Sequence, residues 1–140
     1  MDTRRSDGDS FQAAARRELA YLVDDCGFHI VTDEAQRVRF ESARVSVTAT
    51  FDPRGEIDLD VAELGREREF GKLALTGMVG RASVARVVQL LAGRLRANTL
   101  ALRGDSAYFQ RLREEQLAES ERWTAYYAGR GPRPSTGHLP

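Results

Sequence analysis

The chain has 140 residues, enough for one domain to bury a core without disulfide or metal staples. Its 21 basic and 21 acidic residues cancel, which removes bulk charge as an argument for a nucleic-acid or anionic-membrane partner. One cysteine, Cys26, excludes an internal disulfide, and two histidines beside it argue against a protein-only zinc site.

No apolar run approaches the roughly 20 residues of a membrane span. The opening MDTRRSDGDS lacks the apolar stretch of a signal peptide. The expectation is a cytoplasmic domain over residues 10–128, with disordered ends at 1–9 and 129–140, no cofactor and no membrane partner. Lys72 is the only lysine. A GC-rich genome explains that, and so does selection for planar recognition of carboxylate or phosphate.

Ser10 is placed to cap a helix from Phe11 to Cys26, with Phe11, Ala15, Leu19, Leu22, Val23 and Cys26 on one face. Gly27 suits its end. Phe28–Val31 is a short apolar run, and Thr32–Ala35 reads as a turn. Val38 and Phe40, then Val45, Val47, Ala49 and Phe51, alternate with polar residues as half-buried strands do. Asp52-Pro53-Arg54-Gly55 has turn chemistry at each position. A loop at 53–55 pairs Phe51 with Ile57, Ala49 with Leu59 and Val47 with Val61, all on one face. A one-residue slip would break every pair. By the same logic a tight turn at Ser42-Ala43 pairs Phe40 with Val45 and Val38 with Val47.

Residues 63–81 read as a connector with at most one helical turn. Ser83 caps a helix from about Val84 to Leu102, whose Leu90 and Leu100 lie off the main apolar stripe. A helix greasy beyond one stripe is buried on two sides or touches a partner. Gly104 ends it, and Asp105 or Ser106 caps a last helix to about Ala128, whose stripe Gln116 and Ser120 interrupt. The fold class is α+β: an N-terminal helix, an antiparallel meander of three to four strands, and two C-terminal helices on one face of the sheet.

Charge is segregated along the chain. Residues 52–69 hold seven acids against three arginines, and residues 70–104 hold six bases and no acid. Internal pairing between the two segments would explain this, and so would two surfaces for two partners. Glu56, Asp58 and Asp60 fall on the solvent face of one strand, about 7 Å apart. Protection of an edge strand is a sufficient reason for such a row. The alternative is a surface for a basic protein partner, while a straight strand does not converge its carboxylates on a metal. The helix around Leu90 and Leu100 is the second candidate partner surface.

No phosphate loop, dinucleotide fingerprint or paired-cysteine motif is present. His29 is the only base near Cys26 or a serine, so no catalytic residue is assigned and a non-enzymatic protein is expected. Leu73–Arg96 can be read loosely as helix-turn-helix, with Arg81, Arg86, Arg94 and Arg96 as nucleic-acid contacts.

YLVDDCGF, followed by VRFESARVSVTATFDPRGEIDLDV, resembles a layout found in small bacterial α+β proteins of unknown function, some of them immunity-protein-like. The likeness covers about a third of the chain and carries over no catalytic residue. It implies a binder of a protein partner, with Glu56, Asp58 and Asp60 facing a basic toxin site. A secretion-type chaperone is the variant of that expectation, and a homodimer fits it.

Overall fold

The computed structural model describes the backbone of residues 3–134 and the side chains from Phe11 to Pro134. Helix α1 spans Thr3–Glu18 and α2 spans Ala20–Asp25. Five strands follow: β1 His29–Glu34, β2 Arg37–Glu41, β3 Val45–Phe51, β4 Glu56–Glu63 and β5 Leu73–Met78. Helices α3 Val84–Arg96, α4 Thr99–Arg103 and α5 Ser106–Tyr127 complete the chain. The strands form one antiparallel meander in chain order, so β1 and β5 are its edges.

Alternation in the sequence builds one dry face. Val38, Phe40, Val45, Val47, Ala49, Ile57, Leu59 and Val61 are all buried there. They meet Phe11, Ala15, Leu19 and Leu22 of the first helices, and Val87, Val88, Leu91 and Leu95 of α3. The class is therefore two-layer α+β, with five strands rather than three or four. The β3–β4 register is the expected one, with Phe51 opposite Ile57, Ala49 opposite Leu59 and Val47 opposite Val61.

The β2–β3 register differs from expectation by two residues. Phe40 pairs with Val47 and Val38 with Ala49, around a turn at Ala43-Arg44. A shift of two leaves every side chain on its own face, so alternation cannot detect it. Ser42 decides it locally: its hydroxyl accepts from the Val45 amide at 3.0 Å and the Arg44 amide at 3.3 Å. Upstream, Thr32–Glu34 belong to β1, the turn is at Ala35-Gln36, and a bulge separates Ile30 from Thr32.

Other boundaries also moved. Helix α1 begins at Thr3, so it takes in most of the stretch expected to be disordered, and Ser10 lies inside it rather than capping it. The first helix breaks at Leu19, and Val23 is 42% exposed rather than on a buried stripe. Ala97-Asn98 divides the expected 84–102 helix into α3 and α4. Ser83 and Asp105 cap α3 and α5 as expected, accepting from the Arg86 and Tyr108 amides. Past α5, the Gly129 and Arg130 amides donate to the Tyr126 and Ala125 carbonyls. Residues 135–140, with His138, lie outside the described residues.

The largest correction is β5, in the segment expected to be a connector. Leu73 and Leu75 are buried, and Gly77 completes their alternation. A Cβ at Gly77 would stand 2.6 Å from Val87 Cγ1, so glycine is what allows α3 to press onto this strand. With β5 in place, β4 is an interior strand. Edge protection therefore does not account for Glu56, Asp58 and Asp60.

Candidate functional site

The helical layer covers the dry face of the sheet, and the wet face carries Arg37, Arg39, Thr48, Thr50, Glu56, Asp58, Asp60 and Thr76. Cross-strand rows follow from the register. Arg37, Thr50, Asp58 and Thr76 form one row, and Arg39, Thr48, Asp60 and Ala74 the next. Each row runs from a guanidinium to a carboxylate across a threonine. The connector 64–72 reaches over one end of this face: Arg39 donates to Glu67 at 2.8 Å and to Glu41 at 2.9 Å. That engages Arg39 and leaves the acids of β4 to their own neighbours.

Those neighbours are few. Asp58 accepts from the Thr76 hydroxyl at 2.8 Å. Asp60 is half-buried, and its carboxyl titrates above the ordinary aspartate range. Burial is the main cause and the Asp58 charge adds to it, while Lys72 opposes both. No described arginine or lysine lies within salt-bridge distance of Glu56, Asp58 or Asp60. Nor does any group of three or more His, Cys, Asp or Glu side chains among the described residues stand together as a metal set.

The basic segment is equally unpaired. Lys72, Arg81, Arg86, Arg94, Arg96 and Arg103 form no ion pair among the described residues. Arg86, Leu90 and Arg94 recur every fourth residue on the exposed stripe of α3, the side turned away from the sheet. Arg86 donates to Gln89 at 2.6 Å. Arg96 lies over the Tyr21 ring at 5.0 Å, where it supports a phenol that is hydrogen-bonded to the Ala92 carbonyl. Arg81 is exposed before α3. Internal pairing of the two charged segments is thus not what the structure holds. The α3 arginines lie in the helical layer and the β4 acids on the other face of the sheet, while Lys72, just before β5, is near enough to Asp60 to lower its carboxyl.

The two leucines expected to share a helix are separated. Leu90 is 49% exposed on α3, while Leu100 is half-buried on α4 beside Arg94, Ala97 and Asn98. Cys26 is half-buried at the end of α2, and burial, then Asp25, pushes its thiol up, which disfavours the thiolate.

Sequence reasoning missed a cleft between β5 and α5. Gln116 stands in for a strand partner there. Its side-chain oxygen accepts from the Gly71 and Lys72 amides at 2.7 and 3.3 Å, and its nitrogen donates to the Lys72 carbonyl at 2.7 Å. Gly71 makes the approach possible. It has φ +98°, and a Cβ on it would lie 3.1 Å from Arg113 Cβ. Arg113 anchors the same helix by donating to Glu63 at 2.6 Å. The available signal was Gln116 itself, a polar residue interrupting the apolar stripe of α5.

No family model matches the chain, and no curated protein or solved structure matches it either. No described helix is long and apolar enough to cross a membrane.

Proposed function

We propose that this protein is a small non-enzymatic interaction domain that offers the acidic face of β4 to a basic surface on a protein partner, in the manner of an immunity protein or a chaperone. One observation carries the reading. Glu56, Asp58 and Asp60 stand on an interior strand, on the wet face of the sheet, with no described basic side chain in ion-pair contact and only the longer-range charge of Lys72 acting on Asp60. Such a row costs the fold repulsion and desolvation, as the raised Asp60 carboxyl records. An arriving guanidinium or ammonium relieves both, which gives the face its preference for a cation. The reading places the protein in the cytoplasm, where a lone cysteine stays reduced. In its chaperone-like variant the exposed Leu90 stripe supplies a second surface, for a further protein or a second copy.

The test is partner capture with three tagged proteins: the unchanged chain, Asp58→Arg with Asp60→Arg, and Arg86→Glu with Arg94→Glu. A stoichiometric protein partner should survive the α3 changes and be lost, by roughly a hundredfold in affinity, on reversing the β4 acids. A partner indifferent to the β4 reversal overturns the reading.

The free arginines of α3 favour a second reading, a nucleic-acid-associated regulator using Arg81, Arg86, Arg94 and Arg96. It is the weaker one, because Leu90 sits between Arg86 and Arg94 and Arg96 is occupied by Tyr21. Binding of duplex or single-stranded DNA or RNA that falls steeply with salt would promote it.

A further inference from the structure

The cleft between β5 and α5 encloses about 240 Å³, with Lys72, Leu73, Tyr108, Arg111, Leu112 and Glu115 along its walls. Its construction separates it from the shallow surface grooves elsewhere. The Gln116 clamp fixes the backbone of Lys72 against α5, and the Asn98 side chain donates to the Tyr108 hydroxyl at 3.0 Å, fixing the second wall. Leu73, Leu112 and the Tyr108 ring give an apolar floor. Two cations from different elements line the same space, and neither is in an ion pair among the described residues.

We propose that this cleft is a binding site for a small amphipathic carboxylate, whose charged end lies between Lys72 and Arg111 and whose apolar body lies on Leu73, Leu112 and the Tyr108 ring. The volume is below the roughly 300 Å³ at which sites for drug-sized ligands begin, so the ligand is small. Arg111 supplies a planar donor fork matched to a carboxylate, and Lys72 a mobile point charge. The apolar floor separates this ligand class from inorganic anions, which have nothing to place there. Glu115 also lines the cleft and opposes an anion, so the site is net cationic by one charge rather than two. This inference rests on the cleft's own lining and not on the proposed function; Lys72 alone also acts on Asp60, and Arg111→Gln and Glu115→Gln test the cleft without touching β4.

Octanoate is the probe, titrated into the 15N-labelled full chain and followed by the amides of Gly71, Lys72 and Leu73. Saturable binding is expected with a dissociation constant of about 0.1–1 mM, as suits a ligand of this size. Lys72→Gln and Arg111→Gln should each weaken it about tenfold, the loss expected for a hydrogen bond to a charged group. Glu115→Gln should tighten it, and that gain cannot come from damage to the fold. Octanol, which keeps the body and lacks the charge, should bind at least tenfold more weakly. The proposal is overturned if octanol binds as well as octanoate, if inorganic phosphate does, if no saturable shift occurs at these amides, or if Glu115→Gln changes nothing.

Discussion

Along β4, Ile57, Leu59 and Val61 are at most 1% exposed beneath the helical layer, whereas Glu56, Asp58 and Asp60, each one residue away, stand on the wet face outside every ion pair among the described residues. The two faces follow different constraints. The apolar side is one continuous core shared with α1 and α3, so each of its side chains is fixed by its neighbours. The acidic side contributes nothing comparable to stability, and at Asp60 it subtracts from it. A surface that costs stability and is not needed to guard an edge is free to be shaped by recognition. The difference predicts opposite responses to substitution on alternate residues of one strand.

The largest response belongs to the dry face. Leu59→Ala removes a side chain enclosed on all sides and should cost about 2–5 kcal/mol, measured by urea or thermal denaturation. Partner binding per folded molecule should not change. A loss under about 1 kcal/mol would mean that the two layers close less tightly than the burial indicates.

Gly77→Ala tests the same layer from its thinnest point. The new Cβ would stand 2.6 Å from Val87 Cγ1, which forces α3 away from β5 and should cost about 1–3 kcal/mol. Adding Val87→Ala makes room, so the double substitution should cost less than the two single losses combined. Simple additivity would show that α3 is not held against β5 by this contact.

Gly77 also explains why the strand carrying it escaped sequence reading. Strand β5 is LALTGM, and its inward positions are Leu73, Leu75 and then a glycine with no side chain to mark the period. Its outward Ala74 and Thr76 are uncharged, so the polar half of the alternation is faint as well. By contrast β3 alternates throughout and β4 from Glu56 to Val61, around Asp52-Pro53-Arg54-Gly55, and that is enough to set their register. The acidic row was visible for the same reason. Its position on an interior strand was not, because that depends on β5. The cleft was invisible altogether: Lys72 and Arg111 line one space only because Gln116 fastens α5 along the start of β5, a tertiary event with no local period.

Asp60→Asn should give the smallest effect, and its sign is the informative part. Burial and the Asp58 charge raise the Asp60 carboxyl above its unfolded value, so the folded state takes up its proton more readily than the unfolded state. The stability tied to that proton is fully present below the unfolded aspartate range and is lost as pH rises through the folded value. At neutral pH the charged carboxylate is therefore a net cost, and Asn removes it without changing the side chain's shape. The variant should melt about 2 °C higher at pH 7, as a fraction of a kcal/mol gives in a chain of this size. The advantage should vanish in acid, where Asp60 is neutral in both states. Neutral-pH melting temperature and partner affinity should then move in opposite directions, the first up and the second down. A drop in both would make Asp60 an ordinary structural residue, and a rise in melting temperature with unchanged affinity would leave the acidic row without a recognition role.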